Sequence, residues 1–288
     1  MRPVRTNWVF LRGLGRQSGH WFQFRQILEN YGKTPFDGDL QFLDLPGSGL
    51  DCHGQSPSSI AGITDALREK AGMASYSSSP SEVRSMARGN RAIRAGARPV
   101  PSSERNCLFA ISLGGMVALD WLSRYRHDFD HAFIVNSSAR GISPFYKRMA
   151  PSAAWKLLGG IFQGKLRGDV QSMEEAVFGV SCNVADHGEK VQHWVRLQKE
   201  HPMTLPNFLH QLRAALTFKP PEPGFKSPVF LVSRNDRLVS PQCSDDLYRR
   251  YGSSDAGYFV HPFAGHDLTS DDPEGTADFL ARYIAISG

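Results

Sequence analysis

The sequence predicts an α/β protein: a mostly parallel sheet of about six strands, interrupted late in the chain by an inserted helical segment. Three observations carry that expectation. Six short apolar runs, rich in β-branched, leucine and aromatic residues, are each closed by turn residues. Segments of helical spacing or long connections separate them, and such alternation builds parallel sheets covered on both faces. One long stretch, residues 137–223, contains no strand-like run.

The six runs are residues 8–12, 41–45, 107–112, 131–136, 229–233 and 258–262. Within 137–223, helical spacing occurs at 153–162, 173–178, 190–199 and 207–218, with Pro202 and Pro206 dividing the last two. The run Lys-Pro-Pro-Glu-Pro-Gly at 219–224 then leads back to the sheet. The expected organisation is a core of residues 1–136 and 224–288 with a helical cap of residues 137–223. Trp155, Trp194 and Phe145 fall in the cap, where aromatics at helical spacing are expected to pack helices together; lining an acyl pocket is the alternative. A second irregular region, 71–105, opens on a serine-rich stretch and carries Arg84, Arg88, Arg91, Arg94 and Arg98. On a helix these form one basic stripe. Its plain reading is a solvated face, and its sharper reading is a docking surface for an acidic protein.

Composition narrows the class. With 41% hydrophobic and 21% charged residues among 288, the chain can bury a sizeable core. No apolar run approaches the roughly 20 residues that span a bilayer. The stretch 8–11 is too short for a secretory segment and is ended by Arg12, so a cytoplasmic protein is expected. The four cysteines lie far apart without a C-x-x-C pair, which argues against a zinc site or disulfide framework. The ten histidines include no H-E-x-x-H, and no metal or cofactor is expected. His193, His201 and His210 are expected on exposed helix faces. The net charge of +5 comes without a nucleic-acid module. Gly13-Leu14-Gly15-Arg16-Gln17-Ser18 imitates a dinucleotide fingerprint, with Asp37, Asp39 and Asp44 downstream, but the third glycine is missing.

The strongest local signal is Leu108-Phe109-Ala110-Ile111-Ser112-Leu113-Gly114-Gly115. An apolar strand enters a small-residue turn and leaves as an apolar helix, the pattern of a nucleophile elbow. A serine there stands clear of the sheet on a crowded turn, which demands small residues two before and two after it, here Ala110 and Gly114. Ala110 stands where glycine is usual. The following helix turns its free N–H groups toward the site, and the N–H of Leu113 is placed to hold an oxyanion.

A serine hydroxyl needs a base, and the base needs a group to orient it. Asp236 follows the fifth run and His266 follows the sixth, in the order serine, acid, histidine. Each sits just past a strand end, where parallel sheets collect their active-site groups. Asp267 is the rival acid, but a sequence neighbour is poorly placed to reach the far ring nitrogen. Ser112, Asp236 and His266 are therefore the expected catalytic triad.

With these residues in hand, the chain resembles the α/β-hydrolase superfamily over nearly its whole length. It looks most like small serine carboxylesterases and the pimeloyl-acyl-carrier-protein methyl esterase-like hydrolases. Arg12-Gly13-Leu14-Gly15 followed by Trp21 is similar to the family's His-Gly-x-Gly loop, and Asp44-Leu45-Pro46-Gly47-Ser48-Gly49 to its Asp-x-Pro-Gly-x-Gly turn. The resemblance implies that the N–H of Leu14 is the second oxyanion donor. It also implies an eight-stranded pattern whose first hairpin is missing here. Arg12 stands where the family has histidine, so this loop's hydrogen bonding is expected to differ. The implied activity is carboxylic ester hydrolysis through an acyl-enzyme. Thioesterase or acyltransferase action on acyl-carrier-linked substrates, haloperoxidase or C–C hydrolase chemistry, and a non-enzymatic binding module of the same fold are the alternatives.

Overall fold

The structure, a computed structural model, describes residues 4–32, 34–73, 104–184, 187–253 and 257–287. The five arginines of the basic stripe lie outside the described residues. Six strands form one sheet: β1 (Arg5–Leu11), β2 (Leu40–Leu43), β3 (Glu104–Ile111), β4 (His131–Val135), β5 (Val229–Ser233) and β6 (Tyr258–His261). Their order is β2-β1-β3-β4-β5-β6, and every pairing is parallel. Strands β1 and β3 begin three residues before their apolar runs. The polar lead-ins Arg5-Thr6-Asn7 and Glu104-Arg105-Asn106 pair with each other, and Asn7 donates to the Asn106 side chain at 3.2 Å. Ladder bonding extends these strands where hydrophobicity gives no signal.

Among the described residues, three α-helices precede β4: α1 (Phe22–Asn30), α2 (Ile60–Lys70) and α3 (Leu113–Arg124). Between β4 and β5 come α4 (Phe145–Arg148), α5 (Pro151–Ile161), a π-helical turn (Phe162–Leu166), α6 (Val170–Ser181), α7 (Gly188–Glu200) and α8 (Leu205–Thr217). The chain closes with α9 (Pro241–Tyr251), α10 (Leu268–Asp271) and α11 (Pro273–Ser287). Pro206 falls in the first turn of α8, where a missing N–H costs nothing, and Thr204 caps that helix through the N–H of Asn207.

Side chains alternate across the sheet, so each strand feeds two cores. Trp8, Phe10, Phe109 and Phe133 point to one face, under α1 and α11. Val9, Leu11, Leu108, Ile134 and Phe230 point to the other, against α2, α3 and α9. Burying each large side chain contributes on the order of 1.5–3 kcal/mol. This double burial fixes the register and leaves the strands' C-terminal ends as the edge where loops gather.

The helices between β4 and β5 are fastened to that edge by polar bonds. Gln211 of α8, fully buried, donates to Pro46 O and Ser48 Oγ and accepts from the N–H of Gly15 at 3.2 Å. Asn207 accepts from the N–H of Ser56 and donates to Gly54 O. Arg16 pairs with the buried Glu174 of α6 at 2.8 Å.

Two expectations for this block need correcting. Trp194 does pack helices together, against Phe178 and His20. Trp155 and Phe145 do not: they are 79% and 80% exposed. His193, His201 and His210 are half-buried rather than exposed. His193 reaches Gly19 O and stacks on Phe22, while His210 reaches Ser56 O, because α7 and α8 turn these faces toward the core loops.

Candidate active site

The turn after β3 builds the elbow. Ser112 adopts φ 58° and ψ −116°, a conformation that non-glycine residues rarely accept. It is held there from both sides: its N–H donates to Val135 O at 2.9 Å, and its carbonyl accepts from Ser137 Oγ at 2.7 Å. The small residues around it have steric causes. A Cβ on Gly114 would lie 2.8 Å from Leu11 O, and one on Gly115 would lie 2.6 Å from the Ser137 side chain. A Cβ on Gly13 would lie 3.0 Å from Ser112 Cβ and 3.3 Å from its Oγ. The β1 loop therefore rests directly on the Ser112 side chain, and Leu14 is the next residue along it. Leu113 is buried and opens α3, a twelve-residue helix whose first N–H groups have no partner within the helix.

The turn after β5 presents Asp236, whose side chain is 1% exposed. One carboxylate oxygen accepts the N–H groups of Leu238 and Val239 at 2.8 and 2.9 Å. The other meets His266 Nδ1 at 2.7 Å. Those bonds fix the carboxylate and engage His266 through Nδ1. Asp267, the rival acid, faces away: it pairs with Arg12 and accepts from Thr269. Burial opposes ionisation of Asp267, but the Arg12 guanidinium and the surrounding donors outweigh it, so the carboxyl sits below its usual range. Arg12 thus forms a buried ion pair and lies over Trp21 at 4.6 Å.

Ser112, Asp236 and His266 all lie at the C-terminal edge of the sheet. His266 and Asp236 are in direct contact; no hydrogen bond joins Ser112 to His266 among the described residues. Their link runs through Asn136, a residue that sequence reasoning missed. Val135 receives the N–H of Ser112, and the next residue, Asn136, sits at φ 46° with its side chain buried. Its amide nitrogen lies 2.9 Å from His266 O, 2.9 Å from Ser233 Oγ and 3.3 Å from Gly265 O, and its oxygen accepts the N–H of Ser233. One side chain ties the elbow's neighbour to the strand before Asp236 and to the histidine loop. The only sequence signal was a polar residue closing an apolar strand.

Two further braces come from the same edge. Asp271 accepts the N–H groups of Gly265, Asn183 and Val184; burial raises its pKa against the pull of those donors. Asn183, just past α6, donates to Asn235 O and Phe263 O, bridging the acid and histidine loops. Two surface clefts of about 480 and 420 Å³ flank α5 and α6. The second touches Asp236 and Arg237, but neither is lined by Ser112 or His266.

With this geometry in place, family comparison is decisive. Residues 91–273 match the family described as serine aminopeptidase, S33. The chain belongs to this α/β-hydrolase family. Its membership makes the chain a hydrolase. Curated protein sequences give no match. Among solved structures, an esterase from Rhodococcus sp. ECU1013 is similar at 18% identity and TM-score 0.63, covering 100% of this chain and 93% of that one. An esterase from Exiguobacterium antarcticum is similar at 12% identity and TM-score 0.64, covering 98% and 92%. A thioesterase of the prodiginine biosynthetic pathway in Streptomyces coelicolor is similar at 14% identity and TM-score 0.54, covering 97% and 85%. Likeness at these identities concerns the fold.

Proposed function

We propose that the protein hydrolyses carboxylic esters through an acyl-enzyme formed on Ser112. The observation that carries this reading is the 2.7 Å contact of His266 Nδ1 with a buried, twice-anchored Asp236, on the same sheet edge as a serine at φ 58°. His266 takes the proton of Ser112 as its oxygen attacks the ester carbonyl. The N–H groups of Leu14 and Leu113 hold the oxyanion, one from the loop resting on Ser112 and one from the start of α3. His266, oriented by Asp236, returns the proton to the departing alcohol. Water activated by the same histidine then releases the acid. The helices over this edge act as the cap that sorts substrates. The four free, buried cysteines fit a reducing compartment, and we place the protein in the cytoplasm.

The family's description supports a second reading, amide hydrolysis at a peptide N-terminus. A p-nitrophenyl ester series of increasing acyl length, run beside an aminoacyl p-nitroanilide, tests both. Ester turnover that falls by several orders of magnitude in Ser112→Ala supports the proposal. Anilide turnover without ester turnover favours the peptidase, and inertness on both defeats hydrolysis of either kind.

A further inference from the structure

Helix α5 and the π-helical turn after it are built inside out. An amphipathic helix normally buries its large apolar residues and exposes small or polar ones. Here the buried positions are Ala153 and Gly160. Gly160 packs so closely that a Cβ would lie 2.7 Å from that of Ala176, and one on Gly164 would lie 2.6 Å from Met173 Sδ. Leu157 and Ile161 are half-buried beside them, while four other large residues point to solvent. Trp155, Leu158, Phe162 and Leu166, spaced by three or four residues, are 79%, 60%, 46% and 69% exposed. Phe145 and Tyr146 of α4 are 80% and 53% exposed beside each other. Scattered exposed apolar residues need no explanation, but a continuous stripe of this kind marks a surface that meets something apolar.

The charge around the stripe selects the partner. From residue 140 to 168 the sequence has six lysines and arginines and no acidic residue; of these Arg148 turns inward, donating to Ala215 O. Lys156 sits beside Trp155, and the guanidinium of Arg167 lies 5.2 Å from the Phe162 ring. Acidic groups on the adjoining helix are Asp169 at its start, Glu175 in the cleft beside Trp155, and Glu174, which is buried against Arg16. Tryptophan, phenylalanine and leucine on one face with flanking cations is the composition of helices that lie in a lipid interface. A protein partner would need a matching apolar groove lined with acids; an anionic bilayer supplies both features at once.

We propose that the face formed by α4, α5 and the π-helical turn is an interfacial anchor that adsorbs the protein to an anionic lipid surface. Adsorption does not depend on the catalytic reading, since the stripe contains none of the residues assigned to it.

The test uses the full chain and vesicles of ether-linked lipid, which no esterase activity can degrade. One set is phosphatidylcholine alone, the other phosphatidylcholine with phosphatidylglycerol. Trp155 is exposed while Trp8, Trp21, Trp121 and Trp194 are buried, so a blue shift on binding reports the stripe itself. Expected are co-sedimentation with the phosphatidylglycerol vesicles, weakening with added salt, and a blue shift. Trp155→Phe keeps the binding and loses the shift. The triple variant Trp155→Ser, Leu158→Ser, Phe162→Ser binds about a hundredfold more weakly. Its circular dichroism and melting temperature match wild type. Absence of vesicle binding, or binding that the triple variant retains, overturns the proposal. So does a concentration-dependent dimer, abolished by the triple variant, in protein that ignores the vesicles; the stripe would then belong to a second copy.

Discussion

Arg12 and Asp267 form a buried ion pair, 3% and 7% exposed at their side chains, that joins the residue before Gly13 to the residue after His266. The pair fastens the proposed oxyanion loop to the proposed base. Asp267 further accepts from Thr269, and its N–H donates to Ser181 O of α6. Removing one partner strands a charge where water cannot reach it. Arg12→Met is expected to cost about 3–5 kcal/mol in urea unfolding. Arg12→Met with Asp267→Leu is expected to recover part of that loss. A single variant as stable as wild type contradicts the reading.

Asn136 holds His266 and Ser233 together, so its loss is expected to act on turnover more than on substrate binding. Asn136→Asp replaces a donor with a carboxylate facing the carbonyls of Gly265 and His266. We expect kcat to fall by at least about tenfold with KM little changed, because reacting groups lose their orientation. An increase in KM alone would count against this role.

Gly13→Ala places a methyl group 3.0 Å from Ser112 Cβ, a contact that must be relieved by moving the Ser112 side chain. Ester turnover is expected to drop while the melting temperature changes little. Gly114→Ala meets backbone instead, at Leu11 O and Arg12 O, and is expected to destabilise the fold by about 1–3 kcal/mol. Thermal melts and initial rates on the two variants separate these effects.

Two histidines make stability depend on pH. Burial, reinforced by Lys226 and Arg105, lowers His131 from 6.5 to about 4. Burial, then Arg16 and Arg12, lowers His20 well below 6.5, and its Nδ1 accepts the N–H of Gln17. Both bind a proton more readily unfolded than folded. Their contribution is full above about pH 6.5 and is lost as pH falls below it, for His131 toward about 4. Melting temperatures should decline across that window, and His131→Gln should flatten part of the decline. A level profile down to pH 4 would contradict it.

Much of this was legible in the chain because burial and sequence pattern coincide in a two-faced parallel sheet. The run at 229–233 has the bounds of β5, while the runs at 8–12 and 107–112 missed the polar starts of β1 and β3, which ladder pairing alone extends. Asp236 and His266 were readable as polar residues just past apolar strands. Arg12–Asp267 was not, since its partners stand 255 residues apart and only the fold brings them together. Trp155 misled for a related reason. Large apolar residues at helical spacing read as core, and nothing in sequence says that Gly160 and Ala153 hold the inner side.

The central claim is that Ser112 is a nucleophile activated by His266. It is tested most directly by treating the protein with a fluorophosphonate and mapping the adduct by peptide mass spectrometry. The account predicts one adduct, on the peptide carrying Ser112, formed far more slowly in His266→Ala and absent in Ser112→Ala. Folded protein that takes up no label, or takes it up on another residue, would contradict it.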